Sequence, residues 1–151
     1  MAKSKLDLLL KLESDKEESL RMDYLKAQQH LQSNQQKLQG LNNFRLEYSQ
    51  QLHLKGRSGL SSAGFSQYHA FIAKIEEAIR QQASTVNTAK QVVTQRKALS
   101  LKQQVKAKAV AKLIEKQAEK QAMQVAKAEQ KMLDEFAANQ FYQRQLKNAL
   151  L

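Results

Sequence analysis

Metal or acid–base chemistry in this chain would have to start from three histidines, His30, His53 and His69, and from the adjacent carboxylates Glu76 and Glu77. His53 and His69 flank a glycine-rich segment and would approach each other if the chain folded back there. A metal centre needs three or four convergent ligands, and the sequence offers neither a second ligand pair nor an H-E-x-x-H arrangement. The histidines therefore read as solvated surface residues. Neighbouring helix positions point in different directions, so Glu76 and Glu77 cannot share a proton as a catalytic dyad. There is no phosphate-cradling glycine loop and no nucleophile with a base and an orienting group. These residues predict a protein that is not an enzyme and uses no cofactor.

The basic residues are better organised. Lys102 and Lys106, then Lys108, Lys112, Lys116 and Lys120, then Lys127 and Lys131 follow one another in steps of four, which stacks each set on one helix face. Like charges at that spacing cost an isolated helix a few tenths of a kcal/mol per pair. Two readings stand: a solvated face relieved by Glu115, Glu119 and Glu129, or a docking stripe for an acidic surface. No aromatic residue alternates with these lysines to stack bases, and arginine is scarce, which weighs against nucleic acid. Beyond the lysines, Met132, Leu133, Phe136, Phe141, Tyr142, Leu146, Leu150 and Leu151 make an apolar band. Such a band points to a partner, to a fold-back or to self-association of two tails.

The elements that carry these residues are helices. The chain has 151 residues with no proline, cysteine or tryptophan and four glycines, three of which fall in HLKGRSGLSSAG, residues 53 to 64. On either side, apolar residues recur in alternating steps of four and three. The first seam runs from Leu6 and Leu10 through Glu13, Glu17, Leu20, Tyr24, Ala27, Leu31, Asn34, Leu38, Leu41, Arg45 and Tyr48 to Leu52. The second runs from Phe65 through Tyr68, Ile72, Ile75, Ile79, Gln82, Val86, Ala89, Val93, Arg96, Ser100, Gln103, Ala107 and Val110 to Ile114. That periodicity is the mark of a coiled coil.

The predicted fold is all-α, one coiled-coil domain over residues 1–151. Helix 1 covers about 4–54, a loop about 55–63, and helix 2 about 64–148. Each helix alone would leave its stripe in water, so the two should fold back as a long antiparallel hairpin. Paired residue numbers summing to 120 satisfy both seams, matching Tyr48 to Ile72, Leu31 to Ala89 and Leu6 to Ile114. Helix 2 then extends beyond the hairpin, projecting about 50 Å as a single-helix tail at about 1.5 Å per residue. Glu13 and Glu17 lie at the open end near Lys102 and Lys106, where charge pairs would hold it.

One stretch exceeds what this hairpin requires. In YHAFIAKIEEAI, residues 68 to 79, the seam uses Tyr68, Ile72, Ile75 and Ile79, yet Phe71 and Ala78 form a second stripe with Ile75 at its border. Either Phe71 lies along the groove flank, or the stripe is a contact for a second protein anchored by a half-exposed aromatic.

Charge and composition bound the class. Net charge is +11, and residues 96 to 151 hold twelve Lys/Arg against five Asp/Glu. Nothing approaches the ~18 consecutive apolar residues of a membrane span, and MAKSKLDLLLKLE is too short and too charged for a signal peptide. A soluble protein with no membrane span is expected, and the lack of cysteine fits a reducing compartment.

The layout of about 50 helical residues, a glycine loop and a longer helix resembles the FliJ family, soluble coiled-coil components of the flagellar type III export apparatus. The residues that carry the resemblance are LESDKEESLRMDYLKAQQHLQSNQQKLQGLNNFRLEYSQQL, then YHAFIAKIEEAI, then QKMLDEFA. The resemblance implies a stalk-like protein that engages the export ATPase ring and the cytoplasmic domain of the membrane export gate, couples ATP hydrolysis to export and escorts export chaperones. It implies a cytoplasmic location, peripheral at the inner membrane at the flagellar base. By position it places the gate contact at Phe71, Ile75, Ala78 and Gln82. It places the ATPase contact at Glu13, Glu17, Lys108, Lys112, Lys116, Lys120, Asp134 and Glu135. The tail beyond Phe136, with Phe141, Tyr142 and the final leucines, departs from the family's usual basic ending. The competing class is a basic rod that binds nucleic acid or an anionic membrane, and the equivalent stalk of a virulence secretion system would share the same shape.

Overall fold

The computed structural model describes the backbone of residues 2–150 and the side chains of residues 5–150. Two helices account for nearly all of it, α1 (Ala2–Arg57) and α2 (Ser62–Ala149). They pack against each other as an all-α hairpin, and no strand occurs among the described residues. Leucine, alanine, glutamine, lysine and glutamate lose little side-chain freedom in a helix, and with no proline nothing breaks the backbone hydrogen-bond ladder.

The connection is tighter than the nine-residue loop predicted for 55–63. It spans residues 58–61, because α1 runs on to Arg57 and α2 begins at Ser62. Local chemistry explains both extensions. Lys55 and Arg57 lie in the last turn of α1, where positive charge complements the helix dipole. The Ser58 hydroxyl donates to the Lys55 carbonyl at 3.1 Å. Gly59 turns the chain at φ +91°, a left-handed conformation that side-chain-bearing residues rarely adopt. Ser61 then caps α2, its Oγ accepting from the Gly64 amide at 3.2 Å.

By internal packing the chain forms two units, residues 14–105 and residues 1–13 with 106–151. In the first, the expected seam residues are shielded from solvent except Arg45, Phe65 and Arg96. The two arginines occupy seam positions with apolar stems and keep their guanidinium groups in water. The most buried apolar side chains are Ile75 (6% exposed), Val86 (6%) and Ala89 (4%). So thin a core follows from the architecture, since two helices cover each other on one side only.

Five cross-helix contacts in this unit report the register. Tyr48 packs on Tyr68 (ring centroids 5.1 Å) and on Phe71 (4.7 Å). Phe44 meets Phe71 edge-on at 6.3 Å. Gln82 bonds Asn34 at 2.9 Å, and the Lys55 ammonium donates to the Tyr68 hydroxyl. The residue numbers of these pairs add to between 115 and 123, bracketing the 120 read from the two seams. In the second unit, Leu6, Leu10, Val110 and Ile114 are half-buried, and Leu6 and Ile114 line one small cavity. Every residue from Glu115 to Leu150 is exposed. Leu151 of the apolar band lies outside the described residues.

Candidate partner-docking surfaces

The hairpin presents an aromatic cluster near its turn. Tyr48 comes from the α1 seam and inserts between Tyr68 and Phe71 of α2, one turn apart. Phe44, one turn before Tyr48 at 6.1 Å, closes the cluster from the other side. Both phenylalanines remain open to solvent, Phe44 at 46% and Phe71 at 40%. The result is a row of rings on one flank, anchored from below by Tyr48. Rings at these separations and tilts gain about 0.5–1.5 kcal/mol per pair beyond area burial, so the row is stiff as well as apolar.

The four residues assigned to the gate contact fall at different depths. Phe71 is exposed and Ala78 half-buried, and they share the flank. Ile75 is buried in the seam, so its role is to hold the two helices together beneath the flank. Gln82 is half-buried, and its side-chain amide donates to the Asn34 carbonyl oxygen (3.0 Å) and side-chain oxygen (2.9 Å). Phe44 was missed in the sequence because it lies off the four-three seam. Its i,i+4 spacing to Tyr48 in FRLEY was the available sign.

Of the residues assigned to the ATPase contact, Lys108, Lys112, Lys116 and Lys120 are exposed, as are Asp134 and Glu135. Glu13 and Glu17 are half-buried on the α1 seam, as their positions in the four-three repeat predict. Lys112 and Lys116 line a shallow groove with Glu115 and Glu119, so lysine and glutamate alternate along this part of the stripe. Asp134 accepts a bond from the Gln130 amide at 3.0 Å. In the apolar band, Met132, Leu133, Phe136, Phe141 and Tyr142 are between 62% and 71% exposed.

Two titrating groups have an altered environment. Lys55 donates to the Tyr68 hydroxyl, and this bond, then the charge of the tyrosine, raises the ammonium pKa. The nitrogen lies 5.2 Å from the ring centroid, at the hydroxyl tip and not above the ring face, so the contact is a hydrogen bond and not a cation–π pair. Arg80 holds the Glu77 carboxylate below its usual range, first by hydrogen bonding and then by charge. The adjacent Glu76 takes no part in that pair.

His53 and His69 both line an open groove by the turn, together with Ser49, Leu52, Arg57 and Phe65. His69 stacks edge-on against Phe65 at 4.4 Å. Among the described residues there is no group of three His, Asp or Glu able to hold a metal ion. Among the same residues no helix is long and apolar enough to cross a membrane.

Searches of curated proteins and of solved structures returned no match to this chain. A family model, described as flagellar FliJ protein, matches residues 2–146. The match takes in both helices, the turn and most of the exposed tail, and it agrees with the helical hairpin in the structure. The chain therefore belongs to the FliJ family, a non-catalytic component of the flagellar type III export apparatus.

Proposed function

We propose that this protein is the stalk-like coupling factor of flagellar export, docking the cytoplasmic domain of the export gate through the flank headed by Phe71. The observation that carries this reading is the aromatic row Phe44–Phe71, half-exposed and braced by Tyr48. Hairpin packing uses only part of each of these rings and leaves the rest open, and a rigid aromatic with few rotatable bonds is a common anchor at protein interfaces. Phe71 and Ala78 make the contact. Ile75 supports them from the seam, and Gln82 fixes the register one turn further along.

The second contact, with the export ATPase ring, uses Lys108, Lys112, Lys116 and Lys120 with Asp134 and Glu135, and Glu13 and Glu17 at the open end. The exposed lysines, offset only in part by Glu115 and Glu119 between them, give an acidic partner surface a charged stripe to meet. Bound at both places, the protein sits at the cytoplasmic face of the membrane without entering it, couples ATP hydrolysis to export and returns emptied export chaperones.

The test is capture of partners from cell extract on the immobilised full chain, with and without nuclease, at two salt concentrations. Retention of the export gate and ATPase that survives nuclease supports the reading. Retention that depends on nucleic acid and collapses steeply with salt would replace it with the basic-rod reading, because counterion release gives nucleic-acid binding that signature.

A further inference from the structure

The exposed tail carries a coiled-coil seam of its own, in a different phase from the hairpin's. Continued past Ile114, the hairpin seam would fall on Gln117, Gln121 and Gln124, which are polar. A new series in steps of four and three begins instead at Ala118 and runs through Ala122, Val125, Glu129 and Met132 to Phe136, then through Asn139, Gln143 and Leu146 to Leu150. Seven of its ten residues are apolar, and all ten are exposed. At its start Ala118 lines a small cavity with Leu6 of α1; from Ala122 onward the described residues leave the face open to solvent.

We propose that a second copy of this chain covers it, the two tails pairing antiparallel about a dyad near residue 134. The pattern is self-complementary in that orientation, in which residue numbers that add to 268 face each other. The two small residues at one end, Ala118 and Ala122, meet the two large ones at the other, Leu150 and Leu146. Met132 meets Phe136 at the centre, and Glu129 meets Asn139, which leaves no charge facing an apolar side chain there. Only Val125 against Gln143 is a mismatch. A parallel pairing would instead set Glu129 against Glu129, Ala118 against Ala118 and Ala122 against Ala122, giving a repulsive layer and two underfilled ones.

Charge agrees with self-pairing. Residues 118–150 hold five Lys/Arg against four Asp/Glu, whereas residues 96–117 hold seven against one. An acidic partner would be drawn to the earlier segment; the tail itself is close to neutral and does not repel its own copy. An isologous contact of this kind closes on two chains and does not propagate into fibres. The proposal rests on the tail's own pattern and not on the export reading; in a paired tail Asp134 and Glu135 lie beside the dyad, and the ATPase contact falls to the lysine stripe and the open end.

Mass measurement on the full chain tests it, with Phe136→Asp as the disrupting variant. The wild-type chain should approach twice 17.2 kDa as its concentration rises to about 100 µM, and Phe136→Asp should remain at the single-chain mass with unchanged helix content. The chain has no cysteine, so single introduced thiols report orientation. Leu133→Cys, beside the dyad, should oxidise to a covalent dimer. Ala118→Cys should not, because antiparallel pairing holds its two copies about 48 Å apart. A wild-type chain that stays at single-chain mass, a dimer indifferent to Phe136→Asp, or cross-linking by Ala118→Cys in place of Leu133→Cys would each overturn the proposal.

Discussion

Gln82 reaches across from α2 and donates its side-chain amide to both the carbonyl and the side-chain oxygen of Asn34. Asn34 is only 6% exposed, and its own amide is used up on the His30 carbonyl (2.9 Å) and ring nitrogen (3.2 Å). A buried asparagine with every group satisfied is a register pin. Sliding one helix by a heptad would place Asn34 against Ile75 or Ala89, with nothing to bond. Stranding a buried polar group costs about 1–3 kcal/mol, so the slipped hairpins lie above the native one by at least that.

Replacing Asn34 alone with leucine should therefore destabilise the hairpin by about 1 kcal/mol, because the half-buried Gln82 amide loses both acceptors. Asn34→Leu with Gln82→Leu should recover that loss or exceed it while relaxing the register. Denaturant unfolding of the two variants checks the energies. Cross-linking between cysteines placed at 31 and 89 checks the register, which should remain single in the wild type and become mixed in the double variant.

Ile75 and Phe71 should separate cleanly in stability. Ile75 is 6% exposed in the seam, and its truncation to alanine should cost about 2–4 kcal/mol. Phe71 is 40% exposed, so Phe71→Ala should cost about 1 kcal/mol, chiefly the stacking on Tyr48 and Phe44. Thermal melts followed by far-ultraviolet dichroism give both numbers. Equal losses would show that Phe71 belongs to the core.

Reversing the lysine stripe, Lys108→Glu with Lys112→Glu, Lys116→Glu and Lys120→Glu, should leave helix content unchanged, since all four side chains are exposed. Affinity for the export ATPase should fall at least tenfold. In the wild type the same affinity should decline as salt rises. Titration of the purified ATPase at two ionic strengths checks both.

The Glu77–Arg80 pair sets a pH dependence. Because Arg80 lowers the Glu77 pKa, its contribution to stability is fully present above the ordinary glutamate value and is lost as pH falls through the lowered folded-state value. Replacing Arg80 with glutamine should bring the Glu77 midpoint, read from the side-chain carboxyl resonance, back up to the ordinary range. The stability change stays small, since both side chains are largely in solvent.

Much of the fold was legible because a coiled coil writes its contacts into residue spacing. Leu31, Val86 and Ala89 are where the four-three repeat puts them; of the three exceptions, Arg45 and Arg96 follow from a guanidinium that does not desolvate, while Phe65, beside the turn, packs on His69. The turn was less legible, because its length depends on capping by Ser61 and on the left-handed Gly59, whose effects reach only a residue or two. Of the candidate site, Phe71 could be singled out because it stands off a seam that was otherwise accounted for. Phe44 offered only its i,i+4 spacing to Tyr48, because the pairing that gives it meaning is with Phe71, 27 positions away. Ile75 belongs to both stripes in sequence, and only packing shows that the seam claims it.

The central claim is that the Phe71 flank is a contact surface, and the direct measurement is titration of the export gate's cytoplasmic domain with wild-type protein and with Phe71→Ala. Affinity should drop at least tenfold while the melting temperature falls by only a few degrees. Unchanged affinity, or a loss that merely follows unfolding, would contradict the account.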